Sequence, residues 1–196
     1  MELIQAIRSR RSVREYADTP VDEELIRFVI EAATQAPNAM NRQAWTFAVA
    51  TDRRRLQRWS EQAKRRMLDV MVGDTRIHGY RERLASPSFN VFCDAPALIV
   101  IGTSATDVMG AQDCCLAAQN LMLAAHSRGL GTCWIGLAEA WLSLAETRRE
   151  LGLTDDQVAV APIILGYARR APDPVPREPP RILWVDELEP VLEPQR

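Results

Sequence analysis

Lysine is almost missing from this sequence: Lys64 is the only one, and arginine carries the rest of the cationic charge. The overall balance is slightly acidic, at a net −2, so the chain has no general attraction for nucleic acid. Local basic runs at Arg53–Arg55 and Lys64–Arg66 come without interleaved aromatics or a binding motif, which excludes a nucleic-acid surface. Histidine is also scarce. His78 and His126 stand in unrelated contexts, so there is no H-x-x-x-H metal pair and no Ser-His-Asp or Cys-His set for nucleophilic catalysis. The four cysteines, Cys93, Cys114, Cys115 and Cys133, form no C-x-x-C pair, which argues against a disulfide framework, zinc or an iron–sulfur cluster. With no secretory signal read at the N-terminus, a reducing cytoplasm is the expected setting. Apolar runs such as Ala95–Gly102 fall short of the roughly 18 residues that a membrane helix needs. No G-x-x-x-x-G-K-S/T loop is present, and Gly129-Leu130-Gly131 fails as a dinucleotide fingerprint because it follows a helix and lacks the third glycine.

What remains is an ordinary folding chain. At 47% hydrophobic and 26% charged, its 196 residues suit one domain with arms and do not resemble disorder. Leu3, Ile4 and Ile7 predict a short first helix followed by a turn over Ser9–Arg14. Pro20 and Asp22 introduce a second helix with an apolar face of Leu25, Ile26, Val29, Ile30 and Ala33, which Pro37 ends. Trp45, Phe47 and Val49 alternate as a strand with one buried face. Residues 52–71 read as a helix with Leu56, Trp59, Ala63, Met67 and Val70 inward, and residues 73–90 as a surface excursion.

Ala95–Ile101 and Val158–Gly166 read as buried strands, with Pro162 marking a bulge or an edge. Between them the helix over 107–128 is apolar nearly all round, which predicts burial in the domain or across a subunit interface; Cys114 and Cys115 read as small core residues and Asn120 as needing a partner. Ser143 to Glu146 reads as a capping box. The chain divides into a domain over 1–170 and a proline-stiffened arm over 171–196 ending in the strand-like Ile182–Val185.

Two polar stretches carry the chemistry. Arg10, Arg11, Ser12 and Arg14 put guanidinium groups and a hydroxyl just past a short helix, an arrangement suited to phosphate; a solvated basic turn is the alternative. Pro37, Asn38, Ala39, Asn41 and Gln43 make an amide-rich loop whose uncharged donors and acceptors suit the edge of a heterocycle; plain turn chemistry is the alternative. Phosphate at one end and a polar ring at the other describe a nucleotide or flavin.

The order R-R-S-V-R, P-V-D-E-E-L and A-P-N-A-x-N-x-Q-x-W, continued by Gly131-Thr132-Cys133-Trp134-Ile135-Gly136 and Leu165-Gly166-Tyr167, resembles the nitroreductase family over nearly the whole chain. The resemblance implies an α+β nitroreductase-like fold: a mostly antiparallel central sheet flanked by helices, in an interlocked homodimer with its arm packed on the partner. It implies FMN at the subunit interface and ping-pong transfer of hydride from NADH or NADPH through flavin N5 to a small-molecule acceptor such as a nitroaromatic or quinone.

Under the same resemblance Arg10, Arg11, Ser12, Arg14 and a basic residue of the arm hold the phosphate and ribityl oxygens. Arg177 fits best for that last role, with Arg169 and Arg181 as rivals. Asn41, Gln43 and the Pro37–Ala39 backbone meet the ring from the neighbouring subunit, while Ile135 and Gly136 lie near N5. Some family members have a glutamate just before that glycine; here it is Ile135, so no role resting on a carboxylate carries over. No side chain is assigned as catalytic and no metal is expected. Residues 73–90 correspond to a region that often caps the substrate side. The same scaffold also hosts dehalogenation, flavin fragmentation and azoline oxidation, and a non-catalytic flavin carrier is a further alternative.

Overall fold

A computed structural model describes residues 1–71, 78–105 and 107–184. Four strands, β1 (Trp45–Ala50), β2 (Ala97–Thr103), β3 (Leu130–Trp134) and β4 (Val158–Tyr167), form one sheet in the order β1-β2-β4-β3, with every pairing antiparallel. The expected α+β architecture is present. β2 is buried along its whole length because helices cover both faces. Its alternate residues Ala97, Ile99 and Ile101 pack toward α2 (Glu23–Thr34) and α5 (Val108–Ser127), while Leu98 and Val100 pack toward α3 (Arg53–Val70) with Leu56, Trp59 and Ala63. Period-two alternation thus splits the interior into two cores.

α1 (Leu3–Ser9) leaves Leu3, Ile4 and Ile7 exposed and buries only Ala6. Asp52 caps α3 by accepting from the Arg55 N–H at 2.6 Å. Asp22 stands at the start of α2 without a side-chain capping bond. At the end of α5, Gly129 takes the left-handed conformation (φ 77°) that stops the helix. Asn120 finds its partner: its amide donates to the Ala32 carbonyl at 3.3 Å, tying α5 to α2.

Several expectations are corrected. Within the excursion over 73–90 a helix forms, α4 (His78–Ala85); residues 72–77 lie outside the described residues. The capping box fails because Ser143 ends α6 (Glu139–Leu142), donating to the Ala140 carbonyl, and α7 (Ala145–Glu150) starts from Leu144 with no side-chain cap. Cys114 is buried, but Cys115 is exposed because one step along the helix turns it about 100° away from Cys114 and off the buried face of α5.

α5 itself is not enclosed all round: Val108, Met109 and Leu116 are exposed on the described chain. Val49 is 43% exposed because β1 is an edge strand, and Val70, at the end of α3, is exposed as well. Lys64, from the basic run Lys64–Arg66, is buried. Its ammonium donates to the Ser86 and Phe89 carbonyls at 3.2 and 3.1 Å and pairs with Glu61 at 2.8 Å, clasping α3 to the chain after α4.

Pro162 stands inside an inner strand, paired with Val100. Its carbonyl accepts from the Ile135 N–H at 2.9 Å, one residue beyond the end of β3, so its missing N–H faces the side that β3 has just left. A register shift lies opposite, between Ile101 and Gly102. The described arm, 171–184, runs exposed without regular structure; Ile182, Leu183 and Trp184 form no strand, and Val185 lies outside the described residues.

Candidate functional site

The arginine turn is laid across the sheet. Ser12 bridges to Thr132 of β3 in parallel sense, the Val13 N–H donates to the Thr132 carbonyl at 3.0 Å, and Tyr16 bridges to Ala168 just past β4. Two glycines permit this crossing. A Cβ on Gly131 would stand 2.5 Å from Val13 Cγ2, and one on Gly166 would stand 2.6 Å from Pro96 Cδ and 2.8 Å from Tyr16 Cδ1. Only backbone fits beneath the segment. Val13 and Tyr16 are buried by the contact, and the Tyr16 hydroxyl donates to the Val13 carbonyl at 2.8 Å, closing the turn on itself.

With Val13 and Tyr16 fixed downward, Ser12 and Arg14 are left exposed and Arg10 and Arg11 half-buried. Arg10 is held below the usual arginine range by burial first, then by the neighbouring guanidinium groups of Arg11 and Arg177. Arg177 of the arm is thus within electrostatic reach of Arg10. Of its rivals, Arg169 instead lines a separate cavity with Asp18, Arg53 and Asp94. The Arg11 Nη1 donates to the Arg8 and Arg10 carbonyls at 2.7 and 2.8 Å, while its buried Nε has no partner among the described residues.

Among the described residues no carboxylate pairs with Arg10, Arg14 or Arg177, whereas Arg170 next to them pairs with Glu15 at 3.2 Å. His126, in the last turn of α5, is pushed down by burial and then by Arg10 and Arg11; its Nε2 sits 2.7 Å from Ser9 Oγ. Cavities of about 490 and 170 Å³ flank the turn, the first between α1 and Pro172–Pro174, the second beside Ser12, Arg14 and Asp173.

β3 ends close by. Ile135 is buried, Gly136 is exposed, and a Cβ built on Gly136 meets nothing within 4 Å, so open space adjoins the end of the strand. The amide-rich loop lies at the other end of α5. Asn38 Oδ1 accepts the Gln43 N–H at 2.9 Å and Asn41 Oδ1 accepts from Gln43 Nε2 at 3.1 Å. Met40, Asn41 and Gln43 all have left-handed backbones, at φ 56°, 51° and 49°. Arg42 forks onto the Asp107 carboxylate at 2.8 and 3.2 Å, and the Ala39 N–H donates to Asp113 at 3.0 Å.

Sequence reading singled out neither aspartate. Asp113 had one available signal, a lone acid in an apolar helix. From Asp113 to His126 the helix advances thirteen residues (126 − 113), about 20 Å at 1.5 Å per residue. One chain therefore holds the two candidate stretches apart.

A cleft of about 840 Å³ lies elsewhere, beside β1, lined by residues such as Ile26, Ile30, Phe47 and Val49. It contains none of the candidate residues. The candidate site is the arginine turn, where among the described residues no carboxylate pairs with Arg10, Arg14 or Arg177, while in the β1 cleft Arg53 pairs with Asp18 and Arg27 with Glu23.

Comparison with known proteins gives the same direction. A protein of Methanothermobacter thermautotrophicus named for NADH dehydrogenase and NAD(P)H nitroreductase activity is 39% identical over 61 residues, 31% of this chain and 32% of that protein. The match thus spans about a third of that relative's length. A nitroreductase from Desulfitobacterium hafniense, solved with bound FMN, superimposes with a TM-score of 0.72 at 25% identity, covering 97% of this chain and 99% of that one. One from Bacteroides fragilis, also solved with bound FMN, shares the fold with a TM-score of 0.76 at 24% identity over 97% and 99% of the two chains. The model of the nitroreductase family matches residues 7–167, and the chain belongs to that family.

Proposed function

We propose that the protein is an NAD(P)H-dependent flavin oxidoreductase that binds FMN in a homodimer and reduces a small oxidised acceptor, such as a nitroaromatic or quinone, in ping-pong turnover. The observation that carries this reading is the clustering of Arg10, Arg11 and Arg14 about the exposed Ser12, with Arg177 within electrostatic reach of Arg10 and none of Arg10, Arg14 and Arg177 paired with a carboxylate among the described residues. Burial and mutual repulsion both disfavour such a cluster, and a phosphate offsets both by charge and by bidentate hydrogen bonding. The open space at Gly136 fits a planar ring, and the Asn41 and Gln43 amides fit its polar edge. The residues present thus suit FMN at both ends.

When bound, the flavin supplies the chemistry of hydride transfer, from NADH or NADPH at N5 and onward to the acceptor. Arg10, Arg11, Arg14, Arg177 and the Ser12 hydroxyl hold the phosphate and ribityl oxygens. The Pro37–Ala39 backbone, Asn41 and Gln43 orient the ring, and Ile135 with Gly136 leaves its reactive edge accessible. Neutral or cationic donors near the ring favour the extra negative charge of the reduced state. No residue is assigned as general acid; solvent or a flavin proton serves that role.

The distance along α5 supports a site shared by two copies, since a second α5 running antiparallel brings its own amide loop toward the first copy's arginine turn. Exposed Leu116 and Met109 on α5 and Leu3, Ile4 and Ile7 on α1 supply apolar surface for that contact. The arm, with Ile182, Leu183 and Trp184 bare on the single chain, packs on the partner. Steady-state rates with NADH or NADPH against a quinone or nitroaromatic test the reading. Parallel double-reciprocal lines are expected; intersecting lines, or no turnover with either donor, contradict it.

A further inference from the structure

α5 contains one carboxylate between Val108 and Ser127, and it is buried: Asp113 is 6% exposed on the face that also buries Cys114, Ala117, Ala118 and Leu121. A carboxylate is costly to bury unless it is hydrogen-bonded, so its place in this face calls for a partner. That partner is the Ala39 N–H, 3.0 Å from Oδ1, at the start of the amide-rich loop.

The loop needs holding. Left-handed backbone is disfavoured for residues with side chains, and three of the four residues from Met40 to Gln43 adopt it. Its internal bonds, Asn38 to the Gln43 N–H and Asn41 to the Gln43 side chain, close the loop on itself but do not attach it to the body. Two carboxylates of the α5 region do. Arg42 reaches Asp107 at a half-exposed position, where solvent and salt weaken an ion pair. The Asp113 bond is part-buried, with the carboxylate itself enclosed, so it is screened less. At the tip, Met40 is 86% exposed, so the loop is pinned at its root and presented outward.

We infer that Asp113 is the positioning residue of the ring-facing loop: its buried carboxylate fixes the Ala39 N–H and so sets Asn41 and Gln43 in the geometry that receives the heterocycle. The inference rests on the flavin reading of the site.

Fluorescence titration of the full-length protein with FMN and with riboflavin, which lacks the phosphate, tests it in the wild type and three variants. Asp113→Ala is expected to weaken both ligands by the same factor, about tenfold or more. Asp113→Asn, whose amide oxygen still accepts a hydrogen bond, is expected to recover most of that loss. Leu121→Ala on the same buried face is expected to lower stability and leave both affinities within twofold, which separates positioning from general damage to α5.

Binding of both flavins within twofold of wild type by Asp113→Ala overturns the inference, as does a loss confined to FMN. If Asp113→Ala does not fold, Asp113→Asn decides alone: affinities within about threefold support the hydrogen-bond role, and a tenfold loss overturns it. Should the wild type take up neither flavin, the functional reading fails. Hydrogen exchange at the Ala39 amide still judges Asp113 then: faster exchange in Asp113→Asn or Asp113→Ala than in Leu121→Ala supports the clamp, and equal exchange overturns it.

Discussion

Placing one methyl group on Gly131 tests how the arginine turn is held. In Gly131→Ala the new Cβ would lie 2.5, 2.7 and 2.9 Å from Val13 Cγ2, Cβ and Cγ1, distances that packed carbon atoms do not sustain. Because Val13 is buried and its N–H is bound to the Thr132 carbonyl, it can move away only by lifting the turn off β3. Overpacking of this kind costs about 1–3 kcal/mol. For a chain of this length that corresponds to a fall in Tm of about 2–12 °C.

The affinity for FMN should fall as well, because Ser12 and Arg14 move with Val13. Val13→Ala removes both Cγ contacts and leaves the one to Cβ, so the double variant should be less destabilised than the sum of the single changes by about 0.5 kcal/mol or more. Calorimetry and urea titration of the four proteins measure this. A Gly131→Ala protein with wild-type stability and FMN affinity, or strict additivity with Val13→Ala, would refute the account of the crossing.

Other outcomes follow from the same geometry. Arg14→Ala should weaken FMN binding by about 1.5–3 kcal/mol and leave riboflavin nearly untouched, as measured by fluorescence titration; an equal loss for both ligands counts against a phosphate contact. Lys64→Met removes the donor to the Ser86 and Phe89 carbonyls and should cost about 2–4 kcal/mol in urea unfolding, whereas a surface ion pair alone would cost under about 1. Burial pushes the Cys93 thiol up to about 11 and the Cys114 thiol up to about 12 from 9.0, and raises the Tyr16 hydroxyl too. These groups ionise in the unfolded chain first, so stability is complete below pH 9.0 and declines as pH rises toward 11 and 12. Urea midpoints at pH 8 and pH 10 should show that decline, with a shallower slope in Cys114→Ala; midpoints that do not fall would contradict the burial of the thiols.

Much of this fold is legible in the sequence because its strongest signals are local. The unbroken apolar run of β2, the long apolar α5 and the glycine that stops it each leave a pattern within one segment. What was hidden depends on distant partners. Gly131 and Gly166 look like unremarkable strand residues until Val13 and Tyr16 are seen lying on them. Ser143 and Glu146 have capping-box spacing, but the preceding helix claims the serine for its own end. Pro162 suggested a bulge or an edge because proline lacks a donor; the strand is an inner one with a register shift close by, and the missing donor is accommodated by ending β3 one residue earlier.

The candidate site divides in the same way. The residue types of the arginine turn and amide loop stand in the sequence, yet the electrostatic influence of Arg177 on Arg10 and the grip of Asp113 on Ala39 join residues far apart in the chain, which no spacing rule predicts. The exposed face of α5 marks a related limit, since hydrophobicity alone cannot distinguish a helix buried in its own core from one covered by another subunit.

The most direct test of the central claim is the absorbance spectrum of the FMN-reconstituted protein under anaerobic conditions, before and after NADH or NADPH. The account predicts that the flavin band near the blue bleaches with one or both nucleotides and returns when a quinone or nitroaromatic is added. A protein that takes up no flavin, or whose bound flavin keeps its colour with both nucleotides, would contradict it.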